Sequence, residues 1–286
     1  MVAFRIVAYS SKEMTVMPQD FFKDHPLTAF YAFYGALCVL VSAAEFFLPR
    51  RAPTQPRLSR WIPTFSIFIL NTMFMQFLST ATTASLAYFT WKSGWGLLNQ
   101  WQLPALPLFL LSLLLLDFQV YGLHWLYHKI PWGWRFHRVH HTDMDLDNTS
   151  GLRFHPLEAL VSFLVRQPFI LLIGPSPFAV YFFDGYHLLA ALLTHANIRL
   201  TPFLDKVLRW VFVTPDMHRI HHSTDWDESN SNFGFSISWW DRLFKTYRSS
   251  PGLPQEKMAL GLADYQSREQ VGFGKLLLFP FFKKRK

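Results

Sequence analysis

The sequence predicts an all-α integral membrane protein, with about four transmembrane helices or hairpins and a cytoplasmic, helical, histidine-rich lobe. Three observations predict it. Of 286 residues, 51% are hydrophobic and 18% aromatic, and they come in long blocks rather than at the spacing of a soluble core. The formal charge of +8 sits between those blocks and at the C-terminus, as membrane proteins mark the ends that face the cytoplasm. Most of the twelve histidines fall in three short words at the ends of, or between, the apolar blocks.

The elements follow in order. Residues 1–14 lack an apolar run followed by a small-residue cleavage site, so no signal peptide is expected. His25 precedes a proline and reads as interfacial. The first block, Leu27 to Leu48, is long enough to span, with Glu45 expected at the interface. PRRAPTQPRLSR (49–60) is a basic loop and the strongest topology signal. The second block runs from Ile62 to Phe89 and is rich in Ser and Thr, which suits helix packing in lipid. Residues 90–102 form a turn with Trp91, Trp95 and Trp101, as an interfacial belt would. The third block is Leu103 to Leu126, and a polar segment, His128 to Glu158, follows it. The fourth, Ala159 to Thr194, is too long for one span. GPSP (174–177) interrupts it, predicting a helical hairpin of two short legs that returns to its starting side.

From His195 onward the chain is mostly polar apart from KVLRWVFV (206–213). The tail, FGKLLLFPFFKKRK, reads either as a segment on the cytoplasmic membrane surface or as disordered. Three regions result: an N-terminal membrane region (1–104), a central region holding the histidine words and the hairpin (105–248), and a C-terminal tail (249–286). If loop 49–60 is cytoplasmic, all three histidine words fall on that same side. No solenoid repeat is visible.

Several classes drop out. The basic residues form no patch interleaved with exposed aromatics, so nucleic acid is not the expected partner. Cys38 is the only cysteine and lies in an apolar block; it reads as packing, and neither a disulfide nor a CxxC site can form. No GxGxxG follows a strand. HExxH is absent, as is the Glu-rich pattern of ferritin-like bundles.

The words are HWLYH (His124, His128), HRVHH (His137, His140, His141) and HRIHH (His218, His221, His222). Residues three and four apart share a helix face, so each word offers two or three imidazoles within about a turn. Neutral imidazole suits zinc, copper, iron and nickel. Eight histidines exceed what one metal takes, since a catalytic zinc uses about three protein ligands and a structural zinc about four. A two-metal centre is expected.

These words, in this order and spacing, resemble the fatty acid hydroxylase/sterol desaturase superfamily of integral-membrane di-iron enzymes. DFQVYGLHWLYH (117–128) is similar to its first box with the preceding Asp. GLRFHPLE (151–158), THAN (194–197), TPDMHRIHHS, ESNSNFG and WWDRLFKTYR are similar to stretches of its bacterial members. The likeness covers about residues 105–248. It implies two iron ions held by His124, His128, His137, His140, His141, His218, His221 and His222, with His195 as a ninth ligand, and O2 activated between them. His155 is a weaker candidate ligand; a hydrogen-bonded loop residue is its alternative. His187 is expected to be structural or channel-lining.

Asp117 lies two turns before His124 inside an apolar span, where a carboxylate must pair. It is a candidate to orient a ligand imidazole, a structural pairing with Arg being the alternative. Asp184 raises the same question. Glu228, Asn230 and Asn232 either order their loop or touch the site, while Asp241 and Arg242 are expected to pair with each other or cap the lobe.

The resemblance implies hydroxylation or desaturation of a lipid: a sterol, a fatty acyl chain or a related lipid. Electrons would come from a separate protein, a cytochrome b5-like carrier, a ferredoxin or a reductase, because no HPGG haem word is present. Arg135, Arg138, Arg199, Lys206 and Arg209 form the candidate docking face, and lipid headgroups are the alternative ligand for it. Trp125, Tyr127, Trp132, Trp134 and Phe136 are candidate channel lining. The competing readings are a non-catalytic histidine-rich metal-binding membrane protein and a zinc hydrolase. KKRK resembles a dilysine retrieval signal of the endoplasmic reticulum, whereas the boxes favour a bacterial cytoplasmic membrane.

Overall fold

The computed structural model describes residues 26–78, 80–267 and 272–282. The readings of the first 25 residues, including His25, and of the terminal KKRK lie outside the described residues. Among the described residues the chain is helical, and its few β contacts are isolated bridges. Seven helices frame it: α1 (Pro26–Phe47), α2 (Arg57–Leu78), α3 (Thr80–Ser93), α4 (Ala105–Lys129), α5 (Pro131–His137), α6 (Pro156–Ile173) and α7 (Pro177–His195). Five short ones complete it: α8 (Pro202–Leu208), α9 (Pro215–His221), α10 (Trp226–Ser229), α11 (Trp239–Leu243) and α12 (Phe273–Leu278). Two of them, α4 and α6, are long and apolar enough to cross a membrane. The outward faces of α1, α2 and α4 leave Val39, Phe47, Ile62, Met73 and Leu106 exposed, an apolar belt of the kind that faces lipid.

Prolines write the helix starts. Pro156, Pro177, Pro202 and Pro215 each open a helix, where a missing N–H costs nothing. The preceding residue caps each one: Ser176 Oγ accepts the Ala179 N–H at 3.1 Å, and Thr214 Oγ1 accepts that of Met217 at 3.3 Å. GPSP divides the fourth block as expected. Gly174 ends α6 in the left-handed conformation, φ 65°. The legs are longer than expected, 18 and 19 residues, or roughly 27 Å each. Both pack on α3 and α4 rather than along one another, so the hairpin is splayed.

Its apex is locked to the turn before α4. Asn99 Nδ2 donates to the Gly174 carbonyl at 2.9 Å, and the two backbones approach so closely that a Cβ on Gly96 would lie 2.5 Å from Gly174 Cα. Gly96 also holds φ 100°. Gly96→Ala is therefore expected to destabilise by about 1–3 kcal/mol, seen as a lower melting temperature in detergent with metal content per folded protein unchanged. An unchanged melting temperature would contradict this packing.

At the other end the basic loop packs onto the histidine words rather than facing lipid. Arg50 pairs with Asp216 and Glu256. Arg51 donates to the Met258 carbonyl, and Arg60 pairs with Asp143 and Asp147. Glu45, expected at the interface, is buried; one oxygen accepts the backbone N–H groups of Asn148 and Asn197 at 2.7 and 2.8 Å. The described part of the tail is ordered rather than disordered. Leu276 and Phe279 are buried with Ile67, Val139 and Met144, tying α12 to α2 and to the first HR[VI]HH word. Leu278, Phe281 and Phe282 stay exposed on its other face.

Candidate metal centre

Nine histidines meet at the C-terminal ends of α4 and α7, all of them buried. The last turns of α4 bring His124 and His128. The end of α5 and the 3₁₀ turn after it bring His137, His140 and His141. The C-terminus of α7 brings His195, and α9 with its cap residue brings His218, His221 and His222. The first HR[VI]HH word is thus split by a helix end rather than carried on one helical face.

Their nitrogens sort into two groups. One contains His124, His128, His137, His141 and His221; the other contains His140, His195, His218 and His222. Within each group the ligand atoms lie within 4.8 Å of one another. HRVHH sends its first and last histidines to one group and its middle one to the other, and HRIHH does the reverse. The repeated word therefore serves both groups from each side.

Four members are held by their outer nitrogen. Nδ1 donates to the Phe233 carbonyl from His124 (2.8 Å), to Glu158 Oε1 from His137 (2.6 Å), to the Ala191 carbonyl from His195 (2.7 Å) and to the Ser231 carbonyl from His221 (2.8 Å). This fixes the tautomer and turns each Nε2 inward. Inward nitrogens crowd: Nε2 of His124 and His137 are 3.0 Å apart, and Nε2 of His195 lies 3.1 and 3.0 Å from those of His140 and His218. Other buried ring nitrogens, both of them on His128, His141 and His222, have no hydrogen-bond partner. A cation in each group would take one nitrogen of each ring.

Burial lowers the His137 imidazole to about 3. Burial, then repulsion between neighbouring rings, holds His140, His141, His218, His221 and His222 well below the ordinary value. All are therefore neutral at physiological pH, the state a metal ligand requires.

Several expected residues stand elsewhere. His155 does not join either group: its Nδ1 accepts the Leu157 N–H at 3.1 Å, capping α6, and its Nε2 donates to the Leu277 carbonyl. Asp117 contacts no imidazole. It accepts from Ser236 Oγ and Trp240 Nε1, anchoring the loop after the last histidine word. Asp184 pairs with Arg166 at 2.6 Å. Asn232 Nδ2 donates to the Met217 and Arg248 carbonyls, and Glu228 accepts the Gly252 N–H, so both order the loop. Asn230 bonds to Lys129 and Trp226. Asp241 and Arg242 do not pair with each other. Asp241 accepts the N–H groups of Phe233 and Gly234, presenting the carbonyl that holds His124, while Arg242 lies over the Tyr247 ring.

Sequence reasoning passed over Glu158. Its signal was a carboxylate in the first turn of an apolar helix, where it must have a partner. It also passed over Asp143, Asp145 and Asp147, an alternating acidic run directly after the first HR[VI]HH word that anchors the basic loop.

A cavity of about 550 Å³, mostly apolar, rises from the histidines between α6 and α7, with α3 and α4 behind it. His124, His137 and Tyr127 line its floor, and His187 lines its wall. Of the other aromatic candidates, Trp125 and Trp132 point outward, Trp134 packs on His128 and His141, and Phe136 stacks on His155. Arg138 and Arg209 are buried, the former donating to the carbonyls of Phe279 and Phe282 and the latter pairing with Asp205. Arg135, Arg199 and Lys206 stay exposed.

Residues 109–246 match the model of the fatty acid hydroxylase family. The chain is 31% identical over 186 residues to an ornithine lipid hydroxylase of Rhizobium tropici, covering 64% of this chain and 52% of that protein. It is 31% identical over 155 residues to the alkylglycerol monooxygenase of Xenopus tropicalis, covering 53% and 32%. It is 30% identical over 171 residues to the cholesterol 25-hydroxylase of Mus musculus, covering 56% and 53%. The chain thus spans about half or less of the curated relatives it matches. No solved structure matches it.

Proposed function

We propose, from the match of residues 109–246 to the fatty acid hydroxylase family, that this chain is a membrane-bound, O2-dependent di-iron oxygenase that hydroxylates or desaturates a lipid. The observation that carries the reading is the pair of buried histidine groups at the floor of an apolar cavity. His124, His128, His137, His141 and His221 would hold one iron, and His140, His195, His218 and His222 the other. Facing Nε2 atoms stand 3.0–3.1 Å apart, close enough for each group to converge on one ion. A group of five also exceeds tetrahedral zinc, which weighs against the hydrolase. The lipid-sized cavity above the histidines is what a metal carrier has no use for.

Bound iron would supply the redox chemistry that O2 and an unactivated C–H bond require. The protein supplies position. The cavity floor seats the chain of the lipid beside His124 and His137, and the outer hydrogen bonds keep each imidazole aimed. The splayed α6 and α7 leave room for the lipid between them, and Tyr127 ties α4 to α6 through Ser162, 2.8 Å away. The relatives are named for ornithine lipid, alkylglycerol and cholesterol, which supports a lipid substrate. The catalytic unit would be residues 105–248, with its histidine lobe facing the cytoplasm. Exposed Arg135, Arg199 and Lys206 there would receive a separate, acidic electron carrier.

Purified protein tests the proposal. Two irons per chain, with reductant-dependent O2 uptake stimulated by extracted lipids, is the expected result. One tightly held zinc and no O2 uptake would overturn it. Glu158→Gln is expected to weaken iron retention by about 10–100-fold, measured by chelator competition, because the carboxyl that holds the His137 Nδ1–H is replaced by an amide. Unchanged retention would remove Glu158 from the centre.

A further inference from the structure

Halfway up the cavity its apolar wall is broken by charge. Arg166 on α6 and Asp184 on α7 both line it and pair at 2.6 Å, bridging two helices that do not otherwise pack along each other. An ion pair at membrane depth is costly and marks function by default. This one is also incompletely satisfied: the Nε of Arg166 is buried without a hydrogen-bond partner, while the Asp184 side chain is 43% exposed. Further polar side chains line the same cavity, among them Gln119 on α4 and His187 on α7, and His187 Nδ1 is buried without a partner.

From these features we propose that the cavity binds an amphiphile with a zwitterionic head: its anionic group meets Arg166, its cationic group meets Asp184, and its chain runs down to the histidines. The proposal rests on the lipid-oxidising reading and names the class of lipid. Net charge selects among the classes. An anionic head gains Arg166 but faces Asp184, and a cationic head suffers the converse. An uncharged lipid leaves the pair half-desolvated with its spare donor unmet. Only a zwitterion answers both charges without adding a net charge to the apolar cavity. Helical rise sets the reach. Arg166 stands two turns above Glu158 and Asp184 three turns above His195, roughly 12–16 Å from the floor, so the oxidised carbon lies well along the chain from the head.

The test is lipid retention by the full metal-loaded chain in a neutral detergent, read by native mass spectrometry. The probes share one acyl chain: lysophosphatidylcholine, lysophosphatidic acid and monoacylglycerol. Lysophosphatidylcholine is expected to be retained about tenfold better than either of the others, equivalent to about 1.4 kcal/mol. Arg166→Gln and Asp184→Asn should each erase that preference. The charge-swapped double variant Arg166→Asp/Asp184→Arg keeps a bridge between the helices, so it should keep the fold and still lack the preference. Equal retention of the three lipids by the wild-type chain would overturn the proposal. So would a preference that survives the single substitutions or returns in the swapped variant, which would make the pair a strap between helices. Retention needs neither O2 nor electrons. An inactive protein that keeps the preference would overturn the oxygenase alone, and an active one without it would overturn the zwitterion site alone.

Discussion

Replacing His195 with alanine is expected to remove about half of the iron bound per chain and to lower lipid oxidation by more than 100-fold, beyond the roughly 10–100-fold of a lost outer partner. His195 faces His140 and His218 through one nitrogen and is fixed by the Ala191 carbonyl through the other. Its group has four members, so three imidazoles would remain, with no side chain among the described residues placed to substitute. The group of five does not contain His195 and should keep its metal. His155→Ala is the matched control. It removes a buried histidine that caps α6, so it should cost about 1 kcal/mol of stability and leave iron content intact. Iron quantification of the two variants side by side decides the matter: full iron in the His195 variant, or loss in the His155 variant, would reverse their assignments.

Arg60→Ala is expected to be the most destabilising single change outside the histidines, by about 3–5 kcal/mol. Arg60 grips Asp143 with two nitrogens, at 2.7 and 2.8 Å, and Asp147 with a third at 2.7 Å, all of them buried. Burial opposes ionisation of Asp143, but Arg153 and Arg60 outweigh it and hold the carboxyl well below the usual range. Removing the guanidinium leaves Asp143 paired with Arg153 alone and takes away the ion-pair partner of Asp147, directly behind the turn that carries His140 and His141. For a protein of this size the loss corresponds to a melting temperature lower by roughly 10 °C, with iron lost alongside it. Arg57→Ala, one turn earlier on α2, loses a contact with the Phe46 ring and should lower melting by no more than about 2 °C. If the two variants melted alike, the buried network would not be what holds the loop.

The histidine centre was legible because its ligands announce themselves by type and spacing. HWLYH, HRVHH and HRIHH can be read letter by letter, and THAN added His195. The grouping could not be read that way. Which histidine joins which group depends on α5 ending at His137, a local backbone event with no marker in side-chain chemistry. The groups that orient the rings were hidden for a related reason. Three of the four are main-chain carbonyls, of Phe233, Ala191 and Ser231, and a carbonyl leaves no trace in residue identity. Asp117 misled because periodicity placed it on the face of His124, whereas the competing donors Ser236 and Trp240 lie more than a hundred positions away. The helices were legible where proline and Gly174 punctuate them. The tail was not, since an apolar segment followed by lysines reads the same whether it covers lipid or the protein's own core.

The crossing of the two HR[VI]HH words between the groups has a thermodynamic consequence. Each word is only five residues long, so ordering it around one ion also preorganises the imidazole it lends to the other. Occupancy at the two positions is then reciprocally linked: whatever free energy the first ion contributes toward the second, the second contributes toward the first. Linkage of this kind disfavours the singly loaded protein. In the intact chain the two ions would load together, whereas a variant that strips one group of a ligand, as His195→Ala does, would hold one ion alone.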